Sequence, residues 1–491
     1  MTNINNGSHR AVLQRIARKA MEERGFLTDF PAPAMASLNS MQETVIHISG
    51  PIQDLRNLSW CSIDNDDSED LDQLSVAIAM PGGAVKILVA IADVDSLVNM
   101  KSVFEDHAKN NTTSVYTSAL IFPMLPEKLS TNLTSLKLDA DRSAIVIEFI
   151  ISTEGLLQNS TIYPAVVRNK AKLAYNSLGA WLEENGPIPN AVKPVDGLDQ
   201  NLKIQEGVAK KLKSLRYQSG ALYLETLESR PVFEGDEIRD LKAEKPNVAK
   251  DIIEEFMICA NTVSARFLSA KNFPSVRRIV RVPKRWDRIV ELAADWKFSL
   301  PDKPNSKALD QFLLKVKGQD PVRFPDLSLC VIKLLGSGEY MIELPGEDPT
   351  GHFGLAVKDY THSTAPNRRY PDLITQRLLK ASLSGSPVPY TIEDLISLSG
   401  HCTEMEDQAK KVERRVEKST AAMLMRSRIG EQFDGIITGA SDKGTWVRML
   451  STPVEGKLVN GFEGLDVGQR VRVQLVRTDV EKGFIDFKMV K

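Results

Sequence analysis

The sequence has few cysteines, no long apolar run and almost no net charge. Its four cysteines lie far apart and form no CxxC pair, so neither a disulfide framework nor a zinc site is indicated and a reducing cytoplasm fits best. No apolar run approaches the roughly 18 residues that a membrane span needs, and the N-terminus lacks the apolar stretch of a secretory signal. We therefore expect a cytoplasmic protein without membrane contact.

The balance of charge limits what composition says about nucleic acid. The 491 residues include 62 lysines and arginines and 64 aspartates and glutamates, a formal net charge of -2. Such a chain has no overall attraction for RNA or DNA, so any binding must come from local basic surfaces. With 42% hydrophobic residues the chain can bury a substantial core, and its length predicts one large domain with one or two smaller modules.

Hydrophobic periodicity predicts an α+β fold that begins with a helix. Residues 9–24 place apolar side chains at helical spacing between arginines, and a linker with Pro31 and Pro33 follows. Strand-like segments rich in β-branched residues come next, and long helical patterns dominate later. The strand-like segments are 44–50, 84–94 and 143–151, and the helical ones are 247–270, 367–383 and 401–428.

The C-terminal part of the chain changes character again, into short strands punctuated by glycine. Five strand-like segments between residues 433 and 490 predict a small barrel. A five-stranded OB barrel that binds single-stranded nucleic acid and an SH3-like barrel that binds protein both fit this pattern. The candidates for an RNA-binding face are Phe433, Trp446, Arg448, Arg470 and Arg472.

A cluster of carboxylates follows an apolar, strand-like stretch near the N-terminus. Residues 64–72 carry six carboxylates within nine positions. A hard cation offsets their mutual repulsion, and Mg²⁺ takes oxygen ligands that it usually shares with substrate phosphates. Two such ions can activate water and stabilise the leaving oxygen of a phosphoryl transfer. The alternatives are a solvated acidic turn and a calcium loop, although the central glycine of an EF-hand is absent.

This acidic segment resembles the signature of the RNase II/RNase R family, in which an aspartate on a strand is followed after a short loop by a D-x-D-D run. Asp64, Asp70 and Asp72 match three of the four signature aspartates, and Gln73 occupies the fourth position. The resemblance implies that these four residues hold Mg²⁺, with Mn²⁺ as the alternative metal. It further implies that the aspartates are catalytic.

Gln73 departs from the family signature. An amide oxygen can ligate Mg²⁺ but brings no negative charge, so either one metal binds weakly or Asp66 or Asp67 holds the geometry instead. The departure keeps a second function open, that of an RNA-binding protein of the same fold that has lost catalysis. A third alternative is an assembly scaffold that is recruited through the barrel.

The resemblance covers roughly residues 45–425 and implies four further RNA contacts. Tyr116 matches an aromatic that stacks on the base at the 3′ end, with a core tyrosine as the alternative. Glu254 aligns with a glutamate that contacts RNA, with a structural helix as the alternative. Arg368 matches a catalytic arginine that grips the scissile phosphate in a T-S-P-I-R-[RK]-Y-x-D motif. Glu413 matches a glutamate that positions RNA or water.

Two other segments bear on RNA binding. Leu224 stands where the family has a second clamp phenylalanine, and Tyr223 could substitute for it only if the strand register differs. The segment 273–293 combines basic side chains with Trp286, which suits a single-strand channel or a solvated helix. Its basic residues are Arg277, Arg278, Arg281, Lys284, Arg285 and Arg288.

These inferences combine into one expectation. The fold class is α+β, with an N-terminal helix and linker at 1–44, a mixed α/β RNB-type catalytic domain at 45–428, and at 429–491 a small all-β OB barrel of the ribosomal-protein-S-one type. The family's two N-terminal cold-shock barrels are expected to be absent. The implied function is a hydrolytic 3′-to-5′ exoribonuclease that releases nucleoside 5′-monophosphates from single-stranded RNA ends, with structured RNAs such as tRNA precursors among its substrates and no nucleotide cofactor.

Overall fold

A computed structural model describes residues 8–41, 52–226, 229–243, 246–441, 444–465 and 467–490. The first predicted helix is present as α1 (His9–Glu22), whose N-cap Ser8 accepts a hydrogen bond from the backbone N–H of Ala11, and α2 (Ala32–Ser40) follows it. The strand-like segment 44–50 lies outside the described residues. None of the helices in these ranges is long and apolar enough to span a membrane.

Before the barrel, most of the strands come first along the chain and most of the helices follow, as the sequence predicted. The strands are β1 (Gln53–Asp54), β2 (Cys61–Asp64), β3 (Gln73–Ala79), β4 (Val85–Ala92), β5 (Val115–Tyr116), β6 (Ile121–Phe122), β7 (Asp141–Ile151), β8 (Leu157–Arg168), β9 (Ala171–Ala174), β10 (Ser229–Glu234), β11 (Glu237–Ala243), β12 (Ser275–Ile279) and β13 (Glu339–Glu343). The helices are α3 (Glu105–Asn111), α4 (Tyr175–Leu182), α5 (Leu198–Gln218), α6 (Val248–Ala270), α7 (Trp286–Asp295), α8 (Ser306–Gln319), α9 (Phe324–Leu335), α10 (Tyr370–Ser384) and α11 (Ile392–Met425). Short 3-10 turns occupy Pro81–Gly83, Val94–Ser96, Phe353–Leu355 and Arg426–Arg428, and a π-helical turn occupies Lys128–Leu133.

A seven-stranded mixed sheet forms the centre of the large domain, in the order β1-β8-β7-β4-β3-β2-β9. The central strand β4 is buried from Ile87 to Ala92, where β3 and β7 flank it and the helices α5 and α6 pack against the sheet. Phe149 of β7 and Phe256 of α6 meet edge to face in this core. At one edge, β2 and β9 run parallel and end together, with Asp64 opposite Ala174.

The long helix α11 begins earlier than the sequence predicted. A capping box formed by Thr391 and Asp394 starts the helix, which then runs for 34 residues to Met425. Val412 and Val416 are buried against α1, so only the opposite face of the charged stretch is solvated. The prediction of a helix is confirmed, and the prediction of a start at residue 401 is wrong because the residues before it continue the amphipathic pattern.

Helices α7, α8 and α9 form a smaller unit with its own apolar core, which includes Trp286. The basic residues that precede this unit are engaged within the protein. Arg277 is buried against Glu343, and Arg278 pairs with Glu406 at 2.8 Å. The interpretation of this segment as an open cationic channel is therefore wrong for these two arginines, because strand β12 carries them into the interior.

The C-terminal strands close into a five-stranded barrel in the order β14-β15-β16-β18-β17, with β16 and β18 parallel. This closed order is that of an OB-type barrel, so it decides between the two barrels that the sequence allowed. The strands are β14 (Gln432–Ser441), β15 (Gly444–Met449), β16 (Glu455–Asn460), β17 (Arg470–Asp479) and β18 (Phe484–Met489). Phe433 is buried against Phe487 inside the barrel and is not part of an RNA-binding face. The predicted fold class is confirmed.

Candidate active site

Asp64 lies at the end of β2, where the chain turns away from the sheet. Its Oδ1 accepts hydrogen bonds from the backbone N–H of Asn65 at 2.7 Å and from the hydroxyl of Ser68 at 3.0 Å. These bonds fold the acidic loop back on itself, as short polar side chains do at turns. Burial nevertheless raises the pKa of Asp64 above its usual value. The site therefore favours a cation close to this carboxylate.

Asp70, Tyr116 and Glu413 come together from three distant parts of the chain. The Tyr116 hydroxyl donates a hydrogen bond to Oδ2 of Asp70 at 2.8 Å. The backbone N–H of Tyr116 donates to Oε1 of Glu413 on α11 at 3.2 Å. Because 40% of Tyr116 is exposed, it is not a core tyrosine, and its hydroxyl places it beside the Asp70 carboxylate.

Asp72 is buried and is joined to the loop that precedes α10. Its Oδ1 accepts a hydrogen bond from the backbone N–H of Asn367 at 3.0 Å, and its Oδ2 accepts one from Nε of Arg368 at 3.1 Å. Burial raises the pKa of Asp72 to about 7, although the Arg368 charge opposes that shift. Among the described residues, neither terminal nitrogen of Arg368 has a hydrogen-bond partner, so both are available to an anion.

A second buried carboxylate gives the arginine loop its shape. Oδ1 of Asp372, in the first turn of α10, accepts hydrogen bonds from the backbone N–H groups of Thr364 and Ala365 at 2.8 and 2.9 Å. The same oxygen accepts a third bond from Arg369 at 2.8 Å. Arg369 thus points toward Asp372 while its neighbour Arg368 points toward the acidic loop, which agrees with a structural ion pair for Arg369.

Tyr175 belongs to this site, although no sequence motif indicates it. It follows Ala174 directly, and Ala174 is the register partner of Asp64 on the parallel strand. Burial raises the pKa of the Tyr175 hydroxyl, and the Asp64 charge adds to the increase while Arg368 opposes it. The signal in the sequence was an aromatic residue directly after a short strand, which becomes informative only when the strand pairing is known.

Gln73 opens β3 and points away from Asp72. Side chains alternate along a strand, and Ser75, two residues further, donates a hydrogen bond to Gln205 of α5 at 2.7 Å. Gln73 therefore lies on the α5 side of the sheet, whereas Asp72 turns toward the loop that carries Arg368. Only an approach around the end of the strand would bring the Gln73 amide to the aspartates.

The donor set suits a hard divalent cation. Three aspartates, Asp64, Asp70 and Asp72, surround one arginine, so the site carries excess negative charge that burial makes costly. Within the described part of the chain, no three acidic, histidine or cysteine side chains form a complete metal cage on their own. That arrangement is compatible with Mg²⁺, which commonly takes one or two carboxylates and completes its shell with water and substrate phosphate.

Comparison with known proteins decides the family. The RNB domain model matches residues 52–385, and the model of the RNase II-type exonuclease C-terminal S1 domain matches residues 431–490. The chain belongs to the RNB-domain family. Ribonucleases of this family are hydrolytic nucleases that generally depend on a divalent metal ion. The resemblance that the acidic loop and the arginine motif indicated is confirmed.

Among curated relatives, Ribonuclease R of Escherichia coli (strain K12) is 30% identical over 476 residues, which cover 89% of this chain and 57% of the relative. Ribonuclease R 1 of Lactococcus lactis is 29% identical over 497 residues, with 94% of this chain and 59% of the relative covered. The chain thus spans less than three fifths of the length of these relatives.

Solved structures share the fold over almost the whole chain. Mycoplasma genitalium RNase R in complex with ribose methylated single-stranded RNA superposes with a TM-score of 0.88 at 22% identity and covers 99% of this chain and 79% of that one. The complex of the same protein with double-stranded RNA has a TM-score of 0.87 at 23% identity, with 99% and 84% covered. Yeast Ssd1, described as a pseudonuclease, has a TM-score of 0.70 at 15% identity, with 91% and 55% covered.

Glu254 lies on α6 of the RNB domain, where it pairs with Arg216 of α5. The Arg216 guanidinium is 2.8 Å from Oε1 of Glu254 and also binds Glu255, which is buried. The carboxylate of Glu254 remains half exposed. In the described residues no hydrogen bond or ion pair joins Glu254 to Asp64, so the structure does not bring this pair into the acidic site.

Tyr223 does not replace the missing clamp phenylalanine. Its ring stacks on Phe324 of α9 with the centroids 5.9 Å apart, and its hydroxyl bonds to Lys317. Leu224 packs partly buried against the core of the three-helix unit. These contacts commit Tyr223 to the helical unit, whereas Tyr116 lies beside the aspartates.

Two of the barrel residues that the sequence selected, Trp446 and Arg448, contact other parts of the protein. Trp446 of β15 pairs in register with Lys457 of β16, and its ring lies over the open backbone of Gly439. Arg448 points away from solvent and binds Asp326 of α9 at 2.8 Å, with both side chains largely covered. This ion pair joins the S1-type barrel to the RNB domain, so the Arg448 guanidinium is already engaged.

Proposed function

We propose that this chain is a magnesium-dependent, hydrolytic 3′-to-5′ exoribonuclease that acts on single-stranded RNA ends and releases nucleoside 5′-monophosphates. One observation carries the proposal: Arg368 is anchored to Asp72 by Nε, while its two terminal nitrogens have no hydrogen-bond partner among the described residues. A fork of this kind binds two phosphate oxygens at once. Membership of the RNB family and the likeness to Ribonuclease R support the direction of cleavage and the substrate class.

The proposed ligands of Mg²⁺ are Asp64, Asp70 and Asp72, and Gln73 joins them only if its amide reaches around the end of β3. Bound there, the ion would activate water and offset the charge that develops on the leaving oxygen. Asp72 also orients Arg368, because a buried carboxylate in contact with Nε restricts the plane of the guanidinium. The arginine can then stabilise the scissile phosphate without reorganising during the reaction.

The proposed contacts with the RNA strand surround this centre. Tyr116 stacks on the 3′-terminal base while its hydroxyl remains on Asp70, and stacking tolerates every base. Glu413 holds the Tyr116 backbone and faces the same space. Glu254 and Trp446 extend the path towards the 5′ side of the strand. Structured RNAs with single-stranded 3′ tails, tRNA precursors among them, are proposed as natural substrates.

The function is tested with a single-stranded oligoribonucleotide carrying a 5′ label. We expect a ladder that shortens from the 3′ end, with mononucleotides as the released product, abolished by EDTA and restored by excess Mg²⁺. An oligodeoxyribonucleotide of the same sequence is the control for substrate class. Release of internal fragments, or cleavage that persists in EDTA, would contradict the proposal.

The second candidate is an RNA-binding protein of this fold with weakened catalysis. Gln73 favours it, because the site has one carboxylate fewer than the family signature and the amide lies on the far side of β3. The fold likeness to a described pseudonuclease shows that the architecture persists without this chemistry. Tight RNA binding without mononucleotide release in the labelled assay would select this candidate.

We expect Gln73→Asp to lower the Mg²⁺ concentration needed for half-maximal activity, because a fourth carboxylate strengthens the pull on the cation. Gln73→Asn is the matched control, since asparagine has nearly the same size as aspartate but carries no charge. Activity is measured against a Mg²⁺ titration for the three proteins. A half-maximal concentration identical in all three would show that position 73 does not reach the metal.

We expect the Arg448–Asp326 pair to join the two domains. Arg448→Ala and Asp326→Asn should each lower the free energy of unfolding by about 1–3 kcal/mol, as loss of a charged hydrogen bond does, and the double variant should lose little more. RNA affinity, measured by titration, should fall in both single variants. If Arg448 instead binds phosphate, Asp326→Asn would release it and tighten RNA binding.

A further inference from the structure

The N-terminal segment, residues 8–30, packs against the two elements that hold Tyr116. Met21 and Phe26 lie in one apolar cluster with Val115 of β5 and Val412 of α11. The Gln14 side chain donates a hydrogen bond to the carbonyl oxygen of Ala119 in the same hairpin, at 3.4 Å. The segment therefore covers the contact between the β5–β6 hairpin, which carries Tyr116, and helix α11, which carries Glu413.

One asparagine ties this segment to the hairpin. Oδ1 of Asn111 accepts a hydrogen bond from the backbone N–H of Leu27, and its Nδ2 donates to the carbonyl oxygen of Leu27, both at 2.9 Å. The neighbouring Asn110 donates to the carbonyl oxygen of Gly25 at 3.2 Å. Asn111 is buried, and only a side-chain amide offers both a donor and an acceptor for such a two-point contact.

The residues after Asn111 are bound to the main chain of the arginine loop. The carbonyl oxygen of Thr112 accepts a hydrogen bond from the N–H of Tyr370 at 2.7 Å, and the N–H of Ser114 donates to the carbonyl oxygen of Arg368 at 2.9 Å. Thr112 has φ +56°, a left-handed conformation that a β-branched residue keeps only when its neighbours enforce it. This short stretch therefore sets the spacing between Arg368 and Tyr116.

We propose that the N-terminal segment supports the active centre and that Asn111 is a positioning residue for Tyr116 and Arg368. The proposal rests on the exoribonuclease function above. Asn111 anchors one end of residues 111–116 to the N-terminal segment. Backbone hydrogen bonds to Arg368 and Tyr370 hold the middle of this stretch. At its other end, the Tyr116 hydroxyl is bonded to Asp70. Without Asn111, the strained backbone at Thr112 relaxes. The Tyr116 ring and the Arg368 guanidinium are then no longer held in a fixed position relative to each other.

The chain contains a matched control for this contact. Asn201 of α5 makes the same two-point bond to the backbone of Ala77, accepting at 3.1 Å and donating at 2.7 Å. It lies on the α5 face of the sheet, away from Tyr116. Asn201→Ala therefore removes the same chemistry as Asn111→Ala and controls for a loss of stability alone.

The experiment compares the full-length wild type, Asn111→Ala, Asn201→Ala, Tyr116→Ala and the double variant of Asn111 and Tyr116. Single-turnover cleavage is measured on an oligoribonucleotide with a normal and with an abasic 3′-terminal nucleotide. We expect Asn111→Ala to lower kcat/KM about tenfold on the normal end, as loss of one stacked base would, and to abolish the preference for a base. The loss in the double variant should be smaller than the two single losses combined, because both changes remove the same stacking contact, and Asn201→Ala should keep the preference.

Amide hydrogen exchange provides a readout that does not depend on catalysis. Exchange in residues 111–122 and 364–370 should rise in Asn111→Ala, and the rise in Asn201→Ala should be confined to β3 and α5. If Asn111→Ala fails to fold, Asn111→Asp, which keeps the acceptor and loses the donor, carries the same test. Retained base preference together with additive losses in the double variant would overturn the proposal. A wild type that releases no mononucleotides would overturn the proposed function, whatever the exchange result.

Discussion

Asp72→Asn is expected to lower the rate of mononucleotide release on the order of 10³–10⁴-fold, as removal of one member of a catalytic group can. Asparagine has nearly the same volume and keeps an oxygen for the N–H of Asn367, so the buried loop retains its packing. What disappears is the negative charge that pairs with Arg368 and that we propose to hold the metal. Affinity for RNA should be preserved, because Tyr116 and the barrel are unchanged.

The measurement is a single-turnover assay at saturating Mg²⁺, paired with an RNA-binding titration in EDTA. Asp67→Asn is the control, since Asp67 is exposed in the same acidic loop. We expect the control to retain near-normal activity. Near-normal turnover in Asp72→Asn would refute the metal assignment, and a large loss in Asp67→Asn would mean that the loop uses a different ligand set.

Local patterns were sufficient for most of the fold. The continuous apolar run of β4 predicts a strand that is buried on both faces. The apolar residues of α6 recur at helical spacing and predict a helix that is buried on one face. The five short strands separated by glycines near the C-terminus predicted a barrel, because so short a stretch buries its apolar side chains best in a closed sheet. Whether that barrel is of the OB or the SH3 type depends on the pairing of β16 with β18, which no local period encodes.

The site was predictable where one loop or one motif carries it. Asp72 and Arg368 were both selected from short motifs, and the structure joins them by a direct ion pair. Tyr175 could not be selected, because its place depends on the parallel pairing of β2 with β9. The orientation of Gln73 depends on which strand face α5 covers, and the engagement of Arg448 depends on the docking of α9.

Burial explains why the arginines of this chain differ so much in role. Arg277 of β12 forms a buried ion pair with Glu343 of β13, and Arg369 forms an ion pair with the buried Asp372 of α10. Neither can meet a phosphate without leaving a buried carboxylate unpaired, which is strongly unfavourable. Arg368 is different because it contacts its buried partner through Nε alone. Its two terminal nitrogens have no hydrogen-bond partner among the described residues, so Arg368 can bind a phosphate without breaking its ion pair with Asp72.

Arg368→Lys is expected to lower kcat about 10²–10³-fold, the loss that follows removal of one preorganised donor from a developing negative charge. Lysine presents one ammonium group, which can bind either Asp72 or the phosphate. If it binds Asp72, the fold is kept and the phosphate loses its partner; if it binds the phosphate, Asp72 is left buried without a counter-charge. In both cases the bidentate geometry is lost.

The split between kcat and KM distinguishes a catalytic from a structural arginine. An interaction that strengthens in the transition state lowers kcat while KM changes little. Arg281→Lys is the control, since Arg281 is exposed and pairs with Glu339 on the surface; it should keep normal kinetics and an unchanged melting temperature. Because the lysine variant retains a cation beside Asp72, its melting temperature should also stay close to that of the wild type. If the lysine enzyme keeps most of its kcat, Arg368 serves the fold and the phosphate is held by another group.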